Sequence, residues 1–181
     1  MLSDLHPEEL IDKLPLEPGM QVVDFGCGTG FLAIPIAKKI LPGGKVLAID
    51  IVPEYLESLK LKANNLNLNY SLVTKCVDLT SKEATGLKED SVHGIVMANV
   101  LFQNNAKNKK TILEEAKRIL RPDGFLLLVD WRSEELPLSD NIYPLEKDSL
   151  LGLLAETGFS LTKELSLKTT TQIAFLFSKT I

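Results

Sequence analysis

The chain is poor in the residues that build metal sites and covalent catalysts. It holds only two cysteines, Cys27 and Cys76, and two histidines, His6 and His93. This stock, without a Cys-x-x-Cys pair, predicts no tetrahedral metal site. A Cys/His nucleophile pair is an alternative, but Cys27 stands between glycines, where the need for a small side chain is the simpler explanation.

An excess of positive charge and a long apolar run are also missing. The 20 Lys and Arg residues are outnumbered by 24 Asp and Glu residues, so no general attraction to nucleic acid is expected. No apolar stretch reaches the ~18 residues of a membrane span, and the first residues do not resemble a signal peptide. We therefore expect a cytoplasmic protein without a membrane span or a nucleic-acid partner.

What the chain does have is an alternation of strand and helix patterns. Its 181 residues, 45% of them hydrophobic, suffice for one well-buried core. Predicted strands lie at about 20–25, 45–49, 70–77, 92–98, 125–129, 159–167 and 171–178, and predicted helices at about 7–14, 30–40, 53–63, 107–120 and 146–157. The short join between the last two strands requires antiparallel pairing.

This order predicts one α/β domain over residues 1–181, with an N-terminal helix and lid segment at 1–18. The sheet is expected to be Rossmann-like, doubly wound, mostly parallel and seven-stranded, with a C-terminal antiparallel hairpin. Pro35 should kink its helix if Thr29 is the N-cap. Tyr55 is expected on the apolar face of its helix, and Arg121–Gly124 to stop the helix before the fifth strand.

The most informative stretch is Val22–Gly30, where a strand ends in Asp24 and glycines follow at every second position. A strand, a tight loop and a helix start present backbone N–H groups to a small ligand. A mononucleotide P-loop is excluded because its Lys-Ser/Thr pair is missing. A dinucleotide fingerprint would need glycine at the position of Phe31. The loop therefore favours a different ligand.

Acidic residues narrow the choice of ligand. Asp24 would repel a pyrophosphate but could hold an ammonium group, and Asp50, at the end of the next strand, could accept hydrogen bonds from ribose hydroxyls. S-adenosylmethionine has an amino-acid end and a ribose but no phosphate. Plainer alternatives are that Asp24 orients the loop, that Gly30 serves helix packing, and that Asp78 and Asn99 are turn residues.

Five motifs in order carry a resemblance to class I S-adenosylmethionine-dependent methyltransferases. Val22–Gly30 resembles their motif I and Val46–Ile51 their ribose-binding motif. Val77–Leu79 stands where the family places the acid that contacts the adenine amino group. Val96–Phe102 resembles the fourth-strand motif, and Leu120–Val129 the helix-turn-strand segment after it. The resemblance covers nearly the whole chain and is nearest to the small-molecule type, similar to the ubiquinone/menaquinone-biosynthesis and type 11 methyltransferases.

This resemblance implies S-adenosyl-L-methionine as cofactor and assigns its binding residues. They are Asp24, Phe25, Gly26, Cys27, Gly28, Gly30, Asp50, Ile51, Asp78, Leu79, Asn99 and Val100. No catalytic residue is assigned. His6, Asp130 and Glu134 are candidates for the general base that a hydroxyl acceptor of high pKa would need.

The function predicted is transfer of a methyl group to a small-molecule acceptor by in-line displacement. Proximity, alignment and exclusion of water can supply most of the rate without a metal. Residues 1–18, Asn99–Ala106 and Trp131–Pro144 are expected to wall the acceptor pocket. The alternatives are a non-catalytic binding module with the same fold that acts through a protein partner and, third, a dehydrogenase. A monomer or a homodimer is expected.

Overall fold

The computed structural model describes residues 6–132, 142–143, 146–168 and 171–180. The strands are β1 (Gln21–Phe25), β2 (Lys45–Asp50), β3 (Leu72–Cys76), β4 (Val92–Ala98), β5 (Leu120–Trp131), β6 (Phe159–Leu165) and β7 (Gln172–Lys179). The helices are α1 (Pro7–Ile11), α2 (Ala33–Lys39), α3 (Pro53–Asn65), α4 (Ala106–Ile119) and α5 (Lys147–Glu156), with a 3₁₀ turn at Leu101–Gln103. Prediction and structure therefore agree on the order of the main elements.

The strands form one seven-stranded sheet in the order β3-β2-β1-β4-β5-β7-β6. Strands β1 to β5 pair in parallel, whereas β7 pairs antiparallel with both β5 and β6. The predicted Rossmann-like sheet with an antiparallel C-terminal hairpin is confirmed. The strand order reverses beside β1, the place where open α/β sheets bind ligands beyond their carboxyl ends.

Helices cover both faces of the sheet. The first core includes α2 and α3 through Ile36 and Leu59, and the second includes α4 and α5 through Leu113 and Leu154; all four side chains are fully buried. The apolar runs at 95–98 in β4 and 125–129 in β5 follow from this, because a parallel sheet is buried on both sides. In the described part of the chain, no helix has the length and apolar character needed to cross a membrane.

The predicted kink at Pro35 is wrong because the helix starts later than expected. Helix α2 begins at Ala33 with Leu32, not Thr29, as its N-cap. Pro35 is therefore the third helical residue. In the first turn of a helix the backbone N–H has no partner within the helix, so proline removes no hydrogen bond there.

The predicted turn at Arg121–Gly124 lies instead within a long strand. Strand β5 starts at Leu120, which pairs with Val92, and the next pair joins Phe125 to Gly94. Four residues of β5, 121–124, thus lie between two paired residues whose partners on β4 are only two positions apart. The break that the sequence predicts takes the form of an irregularity in the strand pairing.

Helix α1 and the side chain of Tyr55 also differ from expectation. Helix α1 ends at Ile11, short of the predicted residue 14. Tyr55 remains 47% exposed, while Leu56 and Leu59 of the same helix are buried. Since Tyr55 is not in the core, its place is at the site described next.

Candidate functional site

A cleft of about 670 Å³ opens at the carboxyl edge of β1, β2 and β4. Ten of the twelve predicted cofactor residues line this cleft. They are Asp24, Gly26, Cys27, Gly28, Asp50, Ile51, Asp78, Leu79, Asn99 and Val100. Because these residues come from four separate segments of the chain, the sheet topology is what brings them together.

The glycine loop can form this wall because its residues tolerate unusual backbone angles. Gly26 and Gly28 have φ values of +70° and +50°, a region that side chains with a Cβ rarely enter. A Cβ on Gly26 would also collide with Cγ2 of Val100. Glycine at position 26 therefore lets the loop lie against the end of β4.

Asp50 fastens the loop to the end of β2. Its Oδ2 accepts the Gly28 backbone N–H at 2.8 Å, and its Oδ1 accepts the Val52 N–H at 3.0 Å. Each carboxylate oxygen has a further lone pair, so Asp50 can still accept hydrogen bonds from two hydroxyl groups. The acid that the sequence assigns to the ribose therefore also shapes the loop.

Asp24, at the end of β1, is buried and only partly satisfied. Its Oδ2 has no hydrogen-bond partner among the described residues. Burial, and then the neighbouring Asp50 carboxylate, raise the pKa of Asp24 to about 7, and the backbone N–H of Ala33 opposes this shift. A buried, unpartnered carboxylate oxygen beside a cleft suits a ligand that brings a positive charge.

Another part of the cleft is lined by apolar side chains. Ile51 is 60% exposed and lines the cleft with Tyr55 and Leu79. Asp78 accepts hydrogen bonds at Oδ1 from the Thr80 N–H at 2.9 Å and from its hydroxyl at 2.7 Å. Flat apolar surfaces beside a carboxylate can hold a ring that carries an amino group.

Carboxamides dominate the wall that follows β4. Asn99, Gln103, Asn104 and Asn108 all line the cleft. Gln103 Nε2 donates to the Asn99 carbonyl at 2.8 Å, and Asn104 Nδ2 donates to the Val100 carbonyl at 2.9 Å. This wall is polar but uncharged.

Two of the predicted cofactor residues, Phe25 and Gly30, are not among the residues that line the cleft. Phe25 is fully buried in the core beneath α4 and α5. A Cβ on Gly30, whose φ is +92°, would collide with Leu59 of α3. Gly30 therefore meets a packing requirement between the loop and α3, which is the alternative that the sequence left open.

Of the three candidate general bases, the structure describes two, His6 and Asp130, and neither of them lines the cleft. His6 is exposed before the first residue of α1, and Glu134 lies outside the described residues. Asp130 is buried, and its two oxygens accept the Phe102 and Trp131 N–H groups at 3.1 and 2.8 Å. Burial raises the pKa of Asp130 to about 6, against the effect of these hydrogen bonds and of Lys109.

The predicted cysteine alternative is disfavoured by the environment of Cys27. Burial, and then the charges of Asp24 and Asp50, raise the pKa of this thiol far above its ordinary value. Since the thiolate is the nucleophile, Cys27 is unsuited to that role. The small side chain fits the loop, as the sequence suggested.

Three segments are predicted to wall the acceptor pocket, and the structure places one of them at the cleft. Residues of the 99–106 segment line the cleft, but none of residues 6–18 does. Helix α1 instead forms a separate groove of about 510 Å³ with α2, which meets the cleft at Phe31. Most of the 131–144 segment lies outside the described residues.

Sequence reasoning did not single out Tyr55, Gln103 or Asn108 for the site, although Gln103 lies in a segment predicted to wall the acceptor pocket. Tyr55 follows Asp50 by five residues, and an aromatic residue so close to a site acid was a usable signal. The run Gln103-Asn104-Asn105 was another, because carboxamides cluster there without an evident turn. For Gln172, described below, no local signal existed.

Comparison with known proteins agrees with this geometry. The family model described as a methyltransferase domain matches residues 16–158. The ribosomal protein L11 methyltransferase of Thermotoga neapolitana is 35% identical over 131 residues, which are 70% of this chain and 44% of that protein. The demethylmenaquinone methyltransferase of Lactobacillus johnsonii is 30% identical over 118 residues, 65% of this chain and 46% of that protein. The chain thus spans less than half the length of these relatives.

A solved structure supports the fold independently. The S-adenosylmethionine-dependent methyltransferase from Aquifex aeolicus superposes with a TM-score of 0.81 at 24% identity. The superposition covers 97% of this chain and 90% of that one. The arrangement of sheet and helices is therefore shared over nearly the whole length.

Proposed function

Because the chain belongs to the class I S-adenosylmethionine-dependent methyltransferases, we propose that its cleft binds S-adenosylmethionine and that the protein methylates a small-molecule acceptor. The observation that carries the proposal is the buried Oδ2 of Asp24, beside the cleft. This oxygen has no hydrogen-bond partner among the described residues. An ammonium group satisfies this oxygen and favours the ionised form of Asp24.

The residues of the cleft account for each part of the cofactor. Asp24 holds the ammonium group, and the glycine loop offers backbone N–H groups to the carboxylate. Asp50 accepts the ribose hydroxyls. Asp78 accepts the adenine amino group between the apolar surfaces of Ile51 and Leu79. Asp50 already holds the loop in place by accepting the Gly28 N–H.

When bound, the cofactor supplies a methyl group on a positively charged sulfonium. The protein contributes alignment of the acceptor with that methyl group and a wall that excludes water, and both lower the barrier of an in-line displacement. The described residues that line the cleft include no histidine and no lysine, and we assign its three aspartates, Asp24, Asp50 and Asp78, to the cofactor. We infer that the acceptor carries its reactive lone pair near neutral pH without help from a base, as a thiolate or a weakly basic amine does.

The size of the acceptor is part of the proposal. One relative acts on ribosomal protein L11 and another on demethylmenaquinone, as their names state, so both protein and small-molecule acceptors occur among similar chains. We favour a small molecule because the uncharged carboxamide wall offers no charged surface for a polymer. We also expect the protein to work in the cytoplasm as a monomer or a homodimer.

Two measurements test the proposal. Calorimetry and thermal unfolding with S-adenosylhomocysteine, NAD and ATP should show binding of the first ligand alone. Transfer of labelled methyl groups should then occur to the low-molecular-mass fraction of a cell extract and not to its protein fraction. Labelling of protein would contradict the small-molecule acceptor.

The alternatives lead to different results in the same experiments. Stabilisation by NAD alone would favour a dehydrogenase and contradict the proposal. Binding of S-adenosylhomocysteine without transfer to either fraction would favour a non-catalytic module that acts through a protein partner. The Asp24→Asn variant is the matched control, because it keeps the side-chain shape and removes the charge that we assign to ammonium binding.

A further inference from the structure

Gln172, the first residue of β7, reaches a residue of the cleft from outside it. Its Nε2 donates a hydrogen bond to Oδ1 of Asn99 at 2.7 Å, although 73 positions separate the two residues. Gln172 is only 2% exposed and does not itself line the cleft, whereas Asn99 does. A buried side chain of the C-terminal hairpin therefore holds an amide in the cleft wall.

The other polar groups of Asn99 are held as well. Its backbone N–H donates to the Val129 carbonyl at 2.8 Å, and its carbonyl accepts from Gln103 Nε2 at 2.8 Å. The residue has a φ of +57°, a conformation that asparagine tolerates better than most residues. The one polar atom left is Nδ2, which makes no hydrogen bond with any described residue.

The position of Asn99 tells which part of a ligand this atom would meet. Strands β1 and β4 pair through Phe25 and Met97, so the residues after them continue side by side. Val100 accordingly packs against Gly26 of the loop. Asn99 thus lies beside the part of the cleft that we assign to the amino-acid end of the cofactor. An NH₂ group only donates, so its natural partner there is a carboxylate.

We propose that Gln172 is a positioning residue that turns the Asn99 amide so that Nδ2 donates to the carboxylate of the S-adenosyl ligand. The inference rests on the proposed function, because it requires that the cleft binds this ligand. It adds a residue from the C-terminal hairpin to a site otherwise built from the ends of β1, β2 and β4 and the segments that follow β1 to β4. Gln172 acts through Asn99 and touches no ligand.

The test compares two ligands by calorimetry: S-adenosylhomocysteine, which has the amino-acid end, and 5′-methylthioadenosine, which lacks it. Asn99→Asp keeps the side-chain shape but replaces Nδ2 with an oxygen, so it should weaken S-adenosylhomocysteine binding about 10- to 100-fold, the range for a hydrogen bond to a charged group. Binding of 5′-methylthioadenosine should stay within about twofold, the usual limit for sites that share no contact.

Gln172→Glu tests the positioning role itself. A carboxylate at 172 cannot donate, so Asn99 must turn its Nδ2 toward position 172 and its oxygen toward the cleft. The expected result is the same selective loss of S-adenosylhomocysteine binding, caused by a residue that does not touch the ligand. Gln172→Met removes the hydrogen bond without burying a charge, and it should give a smaller selective loss if Gln172→Glu does not fold.

A double-variant comparison separates positioning from a general structural effect. With Asn99→Ala already present, Gln172→Met should cause no further loss of S-adenosylhomocysteine binding. Equal losses for both ligands, or wild-type affinity for S-adenosylhomocysteine in the Gln172 variants, would overturn the assignment. If the wild-type protein binds neither ligand, the proposed function fails first and the assignment fails with it.

Discussion

The ends of β1 and β2 each carry an aspartate, yet the two carboxylates differ in their hydrogen bonds. Both oxygens of Asp50 accept backbone N–H groups, whereas Oδ2 of Asp24 is buried without a partner among the described residues. An aspartate at the end of a strand can thus either hold a loop through its hydrogen bonds or keep an acceptor oxygen available for a ligand. The difference lies in which backbone N–H groups are within reach.

The end of β5 offers a third case. Asp130 is also buried, but its oxygens accept the Phe102 and Trp131 N–H groups, and burial raises its pKa against the opposing effect of Lys109. Asp130 therefore resembles Asp50 in its hydrogen bonds and Asp24 in its burial. Substitutions at the three positions should give three distinct combinations of binding and stability.

Asp50→Ala should have the largest effect. It removes the acceptor that we assign to the ribose hydroxyls, and it leaves the Gly28 and Val52 N–H groups without their partner. We expect a loss of about 1.5–3 kcal/mol in the binding free energy of S-adenosylhomocysteine, the range for charged hydrogen bonds, together with a lower Tm. Calorimetry and thermal unfolding measure the two effects. Unchanged affinity would contradict the ribose role.

Asp24→Asn should change ligand binding and stability in opposite directions at pH 8. The pKa of Asp24 in the folded protein, about 7, lies above the ordinary value of 3.8, so its contribution to the free energy of unfolding is full below about pH 4 and is lost as the pH rises through about 7. The variant should therefore be more stable than the wild type at pH 8, by an amount that disappears at low pH. Thermal unfolding as a function of pH measures this difference.

The same variant should bind S-adenosylhomocysteine about tenfold more weakly at pH 8, because the ammonium group loses its charged partner. Wild-type affinity should rise between pH 6 and pH 8 as Asp24 ionises, and the variant should show a flat profile. 5′-Methylthioadenosine, which has no ammonium group, serves as the control ligand. A pH slope that persists in Asp24→Asn would assign the titration to another group.

Asp130→Asn should have the smallest effect on binding. The Phe102 and Trp131 N–H groups are accepted by different oxygens of Asp130, and an amide keeps only one of the two, so the loss of one hydrogen bond should lower the free energy of unfolding by about 1 kcal/mol. Affinity for S-adenosylhomocysteine should change by less than about twofold, because Asp130 does not line the cleft. If methyl transfer in the extract assay were abolished while binding stayed intact, Asp130 would be the general base after all.

Much of this site could be predicted because its residues follow strands in a regular way. Glycines after Asp24, and an acid ending the next apolar strand, place Asp24 and Asp50 at one edge of a parallel sheet before any coordinates are known. Pro35 could not be placed because the helix start depends on how far the loop extends before its first turn. Tyr55 was misplaced because helical spacing does not tell a core position from a cleft position at the end of a helix.

Contacts between side chains of distant strands could not be predicted from the sequence, for another reason. The pairing of Gln172 with Asn99 depends on β7 lying next to β5 and on which end of β7 begins at the cleft. Nothing near either residue in the sequence encodes that neighbour. The same holds for the contact of Asp130 with the Phe102 N–H, which comes from the 3₁₀ turn 28 positions away.

The reversed direction of β7 has a consequence for how the site can be altered. Because β7 runs antiparallel to β5, it is the start of the strand, not its end, that lies at the ligand-binding edge. The segment that matches the methyltransferase family model ends at residue 158, before this hairpin begins. The positioning role that we propose for Gln172 would therefore allow ligand preference to be changed from outside the matched segment, by substitutions at the first position of the last strand.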